Sequence, residues 1–452
     1  MSPARRFKPY PAYKDSGVEW LGEIPAHWEV KRLRDIADSL QTGPFGSQLH
    51  ADDYIFGGRP VINPSNLQGG TLVPDWNCTV DESSLSHLAR HELVAGDIVL
   101  ARRGELGRCA LATAEQAGWL CGTGSLRLRL RSYDACPQYF LRLLSTDGVR
   151  DWLTLQSVGS TMQNLNTSII GRIPVAVPML DEQRCVAAFL DRETARIDAL
   201  VAKKERLIEL LQEKHTTLIT RAVTKGLDPN VPMKDSGVEW LGKIPAHWEV
   251  KRTKFVARLR SGHTPSRQHP EYWQDCTIPW FGLADVWQIR DGQVEYVSET
   301  AEKISELGLA SSAARLLPTG TVILSRTASV GFSAIMGVDM ATTQDFVNWV
   351  CGPELRPEYL LYVFRSMEHE FRRLTMGSTH QTIYMPDVGA FATPVPSTTE
   401  QGRIVAYVRS ETMHIDALTV KVRDAIDRLK ELRTALISAA VTGKIDVRKE
   451  AT

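Results

Sequence analysis

At 452 residues the chain is longer than one ordinary hydrophobic core can organise, which implies two to four domains. Hydrophobic residues make up 43% and charged residues 23%, and no run of eighteen apolar residues occurs, so the composition fits a soluble globular protein and excludes a membrane-spanning helix. Lysine plus arginine total 53, as do aspartate plus glutamate; a dedicated basic coat is thereby excluded, and any nucleic-acid site must be a local patch.

The opening segment, MSPARRFKPYPAYKDSG, carries two arginines without an apolar stretch behind them, so no secretory signal is expected. The seven cysteines (78, 109, 121, 136, 185, 276, 351) are scattered and lack a C-x-x-C pair. This predicts reduced thiols in a cytoplasm, with neither a zinc site nor a disulfide frame.

The first element in chain order is a phrase spelled twice. KDSGVEWLGEIPAHWEVKR at Lys14–Arg32 returns 220 positions later at Lys234–Arg252, changed only at Glu23 and Lys243. Trp20, Trp28, Trp240 and Trp248 read as packing anchors that dock each phrase on a surface met twice. The phrase also holds Asp15 with Glu29-x-Lys31, and Asp235 with Glu249-x-Lys251, the spacing by which nucleases hold Mg²⁺ and orient water. A Mg²⁺-dependent DNA endonuclease is therefore one competing reading.

After each phrase the copies diverge. The loops QTGPFGSQLH (Gln41–His50) and RSGHTPSRQH (Arg260–His269) offer Thr42, Ser47 and Gln48, and His263, Ser266, Arg267 and Gln268. These residue types read base edges, and the neighbouring glycines let backbone approach a groove. An exposed turn is the alternative. Next, NPSN at Asn63 resembles the Asn-Pro-Pro-aromatic loop of adenine methyltransferases but lacks its second proline and its aromatic, so a turn is expected, with Asn66 a further polar candidate.

RPVINPSNL, GDIVLARR and SLRLRLRS read as short strands, and PQYFLRLLSTDGVRDWL and PEYLLYVFRSMEHEFRRL as helices opened by proline. GDIVLARRGELG at Gly96 is matched by GTVILSRTASVG at Gly320. Arg102, Arg103 and Arg326 there either hold phosphates or form structural ion pairs. GSTMQNLN and GSTHQTIY supply Ser160, Thr161, Gln163 and Asn164, and Ser378, Thr379 and Gln381; each is a recognition loop or a helix-capping turn. His263 and His380 have no Cys or His cluster around them, so no metal is expected.

A long helix follows in each copy: EQRCVAAFLDRETARIDAL from Glu182 matches EQGRIVAYVRSETMHIDAL from Glu400, 218 positions on. Leu190, Ile197, Lys204, Leu211 and Leu218 stand seven apart, with Leu200 and Leu207 between them. In the second copy Val408, Ile415, Val422, Leu429 and Leu436 do so, with Leu418, Ala425 and Leu432 between. These heptad stripes predict helices roughly 60 Å long that pair with each other. The plan is globule, helix, globule, helix, with expected boundaries 1–180, 181–228, 229–398 and 399–446.

KDSGVEWLG.IPAHWEVKR, the GST.Q stretch leading into IPVAVPMLDEQ, and the repeated EQ…ET..IDAL helix together resemble the specificity subunit of type I restriction–modification systems. The resemblance spans essentially the whole chain. It implies an α+β fold with two globular target-recognition domains separated by two long helices, which pair as an antiparallel coiled coil in a pseudo-twofold internal repeat. It also implies a non-catalytic protein, without cofactor of its own, that binds double-stranded DNA with a split target. Its helices would bind two adenine-methyltransferase subunits, which hold S-adenosylmethionine, and through them the restriction subunits. One departure is TPVPSTTEQ, where the family has a proline-and-leucine run before Glu-Gln. A DNA-free coiled-coil adaptor is the other competing reading.

Overall fold

Two helices dominate the architecture: Leu180–Lys225, of 46 residues, and Thr398–Val441, of 44. Each stops at the first glycine that can turn left-handed after it, Gly226 (φ +72°) and Gly443 (φ +73°), where any other residue would be strained. The computed structural model describes residues 7–44, 48–156, 165–376 and 381–448. Its compact units do not follow the order of the repeats. One comprises Met1–Lys204 with Asp424–Thr452, the other Glu205–Arg423.

In the first unit, strands Cys109–Leu111, Ile98–Ala101, Ser125–Leu130 and Ala37–Thr42 form an antiparallel sheet in that order. Alternation decides which side chain enters which core. Ile98, Leu100, Leu126 and Leu128 join the main core, while Val99, Ala101 and Ala110 join a smaller one on the opposite face. The arginines of SLRLRLRS therefore face a covered side and must be paired. Arg127, 6% exposed, donates to the carbonyls of Arg90 and Glu92 and to Gln41 Oε1; Arg129 makes two 2.8 Å bonds to the buried Asp97 carboxylate.

The second unit repeats this plan. Strands Ala257–Ser261, Phe346–Cys351, Val322–Ser325, Ser333–Met336 and Tyr296–Val297 form its sheet. Val322, Leu324, Val347 and Trp349 face the main core, and Ile323 and Phe346 the other.

The twice-spelled phrase meets the same surface in both units. Glu29–Arg32 pairs with Pro174–Val177, and Glu249–Arg252 with Ala392–Val395, each just before a long helix. Trp28 and Trp248 are fully buried. His27 Nε2 lies 2.8 Å from Glu182 Oε2, and His247 Nε2 lies 3.0 Å from Glu400 Oε2. Next to these glutamates, Gln183 and Gln401 are wholly buried. Gln183 accepts from Cys136 N and donates to the carbonyls of Asp134 and Pro178; Gln401 accepts from Arg356 N and donates to those of Glu354 and Pro396. The last lysine of each helical segment also repeats its role. Lys225 Nζ donates to Leu241 O and Lys243 O, and Lys444 Nζ to Leu21 O and Glu23 O. In the first unit, Asp446 N donates to Lys8 O at 2.8 Å, which joins the two ends of the chain.

Within the first unit, Leu190 and Ile197 share the main core with Leu436, Ile437, Ala440 and Val441, and Leu429 and Leu432 pack at its margin. Within the second, Ile219, Ala222 and Val223 share the core with Ile404, Val405 and Val408, with Leu218 at the margin. Leu211, Ile415 and Val422 are buried as expected from the seven-residue line. Leu200, Leu207 and Leu418 are a correction: they are 40%, 39% and 44% exposed. The second buried line runs four residues after the first, not three, through Thr194, Thr419, Ile426 and Ala440. A helix of 3.6 residues per turn puts both i+3 and i+4 beside position i, and the spacing alone does not choose between them.

Candidate nucleic-acid interface

In each unit the loop after the phrase leaves its edge strand through a glycine pressed against a neighbouring turn. A Cβ on Gly43 would stand 1.9 Å from the Gly122 carbonyl oxygen, and one on Gly262 would stand 2.2 Å from Thr343 O. No side chain fits at either position. Around these glycines the same segments converge in both units.

In the first unit, Gly43 N donates to Ser125 O, Arg102 N to Gly124 O, and Leu165 N to Arg102 O. The Arg102 guanidinium returns to Leu165 O through Nε at 3.2 Å. Burial, and then the neighbouring Arg103 charge, lower the pKa of this arginine. In the second unit, His263 N donates to Thr342 O, Arg326 N to Asp345 O, and Ile383 N to Arg326 O. Arg326 Nη1 returns to Ile383 O at 3.3 Å, and its Nε reaches Gln344 O. Arg102 and Arg326 are therefore matched clamps on the segments that follow the two GST.Q stretches. Arg102 through Nε, and Arg326 through Nε and Nη1, are held by main-chain carbonyls where the sequence suggested a structural ion pair.

Asn66 is likewise structural. It is 5% exposed, its Oδ1 accepts from Asn63 N, and its Nδ2 donates to Val73 O. Asp285 closes the equivalent turn by accepting from Gly282 N, so NPSN is the turn its sequence suggests. Arg103, by contrast, is exposed and has no side-chain partner among the described residues.

Thr42 ends the strand Ala37–Thr42, and Gln48 sits half-buried with its Oε1 unpartnered. His263, Ser266, Arg267, Gln268 and Gln381 are exposed. Arg267 stacks 3.8 Å above the Trp273 ring and is held by the Glu302 carboxylate. Ser266 O accepts from Trp273 Nε1, and Ser266 Oγ from Gln268 N. Gln381 O accepts from Ala328 N, which brings the Gly320 hairpin against the second GST.Q stretch. Ser47, Ser160, Thr161, Gln163, Asn164, Ser378 and Thr379 lie outside the described residues. The sequence reading missed Thr264 and Gln344, whose side chains bond at 2.6 Å and tie the Gly262 loop to the strand turn.

Ala328 is in the left-handed region (φ +59°), where its counterpart in the first hairpin is Gly104 (φ +77°). His91 is 3% exposed beside this region of the first unit. Burial and then the Arg90 charge push its imidazole down to about 4.

The nuclease spacing does not assemble a donor set. Asp15 Oδ1 accepts from Gly17 N, Glu29 pairs with Lys31 at 2.8 Å, and Lys251 pairs with Glu249 and Glu354. Among the described residues no group of three or more His, Cys, Asp or Glu side chains could hold a metal, and no helix is long and apolar enough to cross a membrane.

Comparison with known proteins gives a consistent result. Residues 25–210 and 245–424 both match the type I restriction modification DNA specificity domain. The putative type I restriction enzyme MjaX specificity subunit of Methanocaldococcus jannaschii is 22% identical over 439 residues, 95% of this chain and 96% of that protein. The MjaIX specificity subunit of the same organism is 31% identical over 166 residues, 36% of this chain and 38% of that protein. Among solved structures, a chain from a study of complex assembly and conformational transition of the type I R-M system superposes with a TM-score of 0.70 at 18% identity, covering 92% of this chain and 98% of that one. The HsdS subunit from Thermoanaerobacter tengcongensis gives 0.58 at 19% identity, covering 93% and 98%.

Proposed function

Because the chain belongs to the type I restriction modification DNA specificity family, it is a non-catalytic, DNA-binding recognition subunit, and we propose that its two converging loop systems each read one half of a split target. The observation that carries this reading is the doubled cradle. Glycine hinge, arginine clamp and capped turn occur in both units, while the loop sequences differ: after the hinge glycine the first reads Pro44, Phe45, Gly46, Ser47, Gln48, Leu49 and the second His263, Thr264, Pro265, Ser266, Arg267, Gln268, with the serine alone in common over that stretch. A scaffold repeated under different surfaces suits two half-sites of different sequence.

The long helices then pair antiparallel as a coiled coil and carry the pseudo-twofold repeat. Domain limits near 1–180, 181–228, 229–398 and 399–446 follow from this plan. Exposed leucines on the long helices, Leu200 in the first unit and Leu207, Leu210 and Leu418 in the second, support docking of two methyltransferase subunits, and through them the restriction subunits. Seven unpaired cysteines suit a cytoplasmic complex.

The test is the methylome of the host with and without this gene. A gene-dependent motif of two defined halves around unread bases is the expected result. A continuous motif, or none in a host with active partner subunits, would refute the split-target reading. Co-purification with two methyltransferase subunits per chain tests the scaffold.

A further inference from the structure

The strand Ala257–Ser261 bonds to Phe346–Cys351 on one side and is the edge of its sheet. Ala257 and Leu259 turn toward the main core, so Arg258 and Arg260 face the other way. Arg258 is exposed and Arg260 half-buried, and neither has a hydrogen-bond, ion-pair or ring partner among the described residues. Other arginines of the two sheets and their loops have partners: Arg127, Arg129 and Arg409 are held by carbonyls or carboxylates, and Arg102 and Arg326 each bond main-chain carbonyls. Just before the strand, Phe255 is 74% exposed with the Lys254 ammonium 5.6 Å from its ring centre. Just after it, Gly262 opens the recognition loop.

The first unit supplies the comparison. Residues 253–262 carry Lys254, Arg258 and Arg260 and no acid, a charge of +3; the matching residues 33–42 carry Arg34, Asp35 and Asp38, a charge of −1. A charged edge deters pairing with other chains, but either sign does that. Unpaired arginines on the approach to one recognition loop, and not the other, need a further reason. A free guanidinium offers five N–H donors that suit phosphate oxygens. Two residues of strand separate the two arginines by about 6.6 Å, close to two base-pair steps along a DNA strand of about 3.4 Å each.

Resting on the DNA-recognition reading above, the geometry points to Arg258 and Arg260 as a phosphate track that positions the duplex beneath the Gly262 loop. The second half-site thereby carries more of the salt-sensitive grip than the first. The track sets register and orientation and reads no base.

The experiment uses the full chain co-purified with its methyltransferase subunits. The DNA probes are a duplex bearing the methylome-derived motif and a scrambled duplex. Replacing Arg258→Gln together with Arg260→Gln should flatten the dependence of log affinity on log salt by about 1.8, at about 0.9 per phosphate. Between about 50 and 200 mM salt the loss of affinity then becomes roughly twelvefold smaller, with the motif-to-scrambled ratio unchanged. The paired lysine variant should keep the original slope. An unchanged slope in the glutamine variant, with sequence-specific binding intact, overturns the track alone. A slope that flattens equally in the lysine variant overturns it too, since the side chains would then act through the fold. No preference of the unsubstituted complex for the motif would instead overturn the DNA-recognition reading itself.

Discussion

Replacing Gln183 by leucine should remove the brace between the first recognition domain and its helix, at little change in volume or helix propensity. The side chain is wholly buried and makes three bonds, to Cys136 N at 2.8 Å, Asp134 O at 3.0 Å and Pro178 O at 2.9 Å. Leucine leaves all three main-chain groups without a partner, and two of the three bonds lie in fully buried surroundings. At about 1–3 kcal/mol for each buried group left unmade, less what the apolar side chain recovers, the first unit should lose about 3–5 kcal/mol. That is a large share of the roughly 5–15 kcal/mol that holds a typical domain. Gln183→Glu should cost at least as much, because an ionised carboxylate would face two carbonyl oxygens. Gln401→Leu should do the same to the second unit, and the two losses should add, because the sites share no partner. Limited proteolysis across a urea series, with fragments assigned by mass spectrometry, measures the two units separately. A loss below about 1 kcal/mol for Gln183→Leu, or cleavage that moves to the second unit, would show that the glutamine is not the brace.

The remaining expectations are shorter. Ala328→Gly should stabilise the second unit by about 0.5–1 kcal/mol, since the left-handed backbone costs alanine about 1–2 kcal/mol and glycine gives part of that back in unfolded-state entropy; denaturant midpoints check it. His91 is held neutral in the fold, with its value lowered from 6.5 to about 4. The first unit should therefore be fully stabilised above pH 6.5 and lose that stability as pH falls toward 4, and His91→Asn should flatten this limb of a pH–stability curve. Glu302→Gln should release Arg267 and strengthen DNA binding by up to about 1 kcal/mol, the scale of an exposed ion pair, as read by titration with the methylome-derived duplex. Arg326→Gln should weaken binding to all DNA sequences alike, because it loosens the segment at Ile383 and removes no base contact; competition between motif and scrambled duplexes tests this.

Much of the fold was legible because duplication compares the chain with itself. The twice-spelled phrase, the Glu-Gln pair and the two helices were all visible, and the structure supplies the reason: His27 meets Glu182, His247 and Trp248 both meet Glu400, and the neighbouring Gln183 and Gln401 bind the main chain of their own domains. What escaped depends on which way a side chain turns. Leu200, Leu207 and Leu418 look like seam residues by spacing, yet the seam follows the i+4 line. Asn66, Arg102 and Arg326 also bond main-chain atoms that only the folded loops bring close, a structural role that their residue type does not announce. Arg258 and Arg260 carry no local signal apart from strand alternation, and only the edge position shows them unpaired.

The bond from Asp446 N to Lys8 O has a consequence for synthesis. The second unit, Glu205–Arg423, leaves the ribosome as one uninterrupted stretch. The first cannot close until Leu436, Ala440, Val441, Ile445 and Val447 have been made, since all five belong to its core. At about 5–20 residues per second, translating the intervening stretch takes roughly 10 to 45 s. Through that interval Tyr139, Phe189 and Leu190 lack their last neighbours and present an apolar face to solvent. The half that is translated first is thus the half that finishes last, and it is the one that depends on protection while the rest of the message is read.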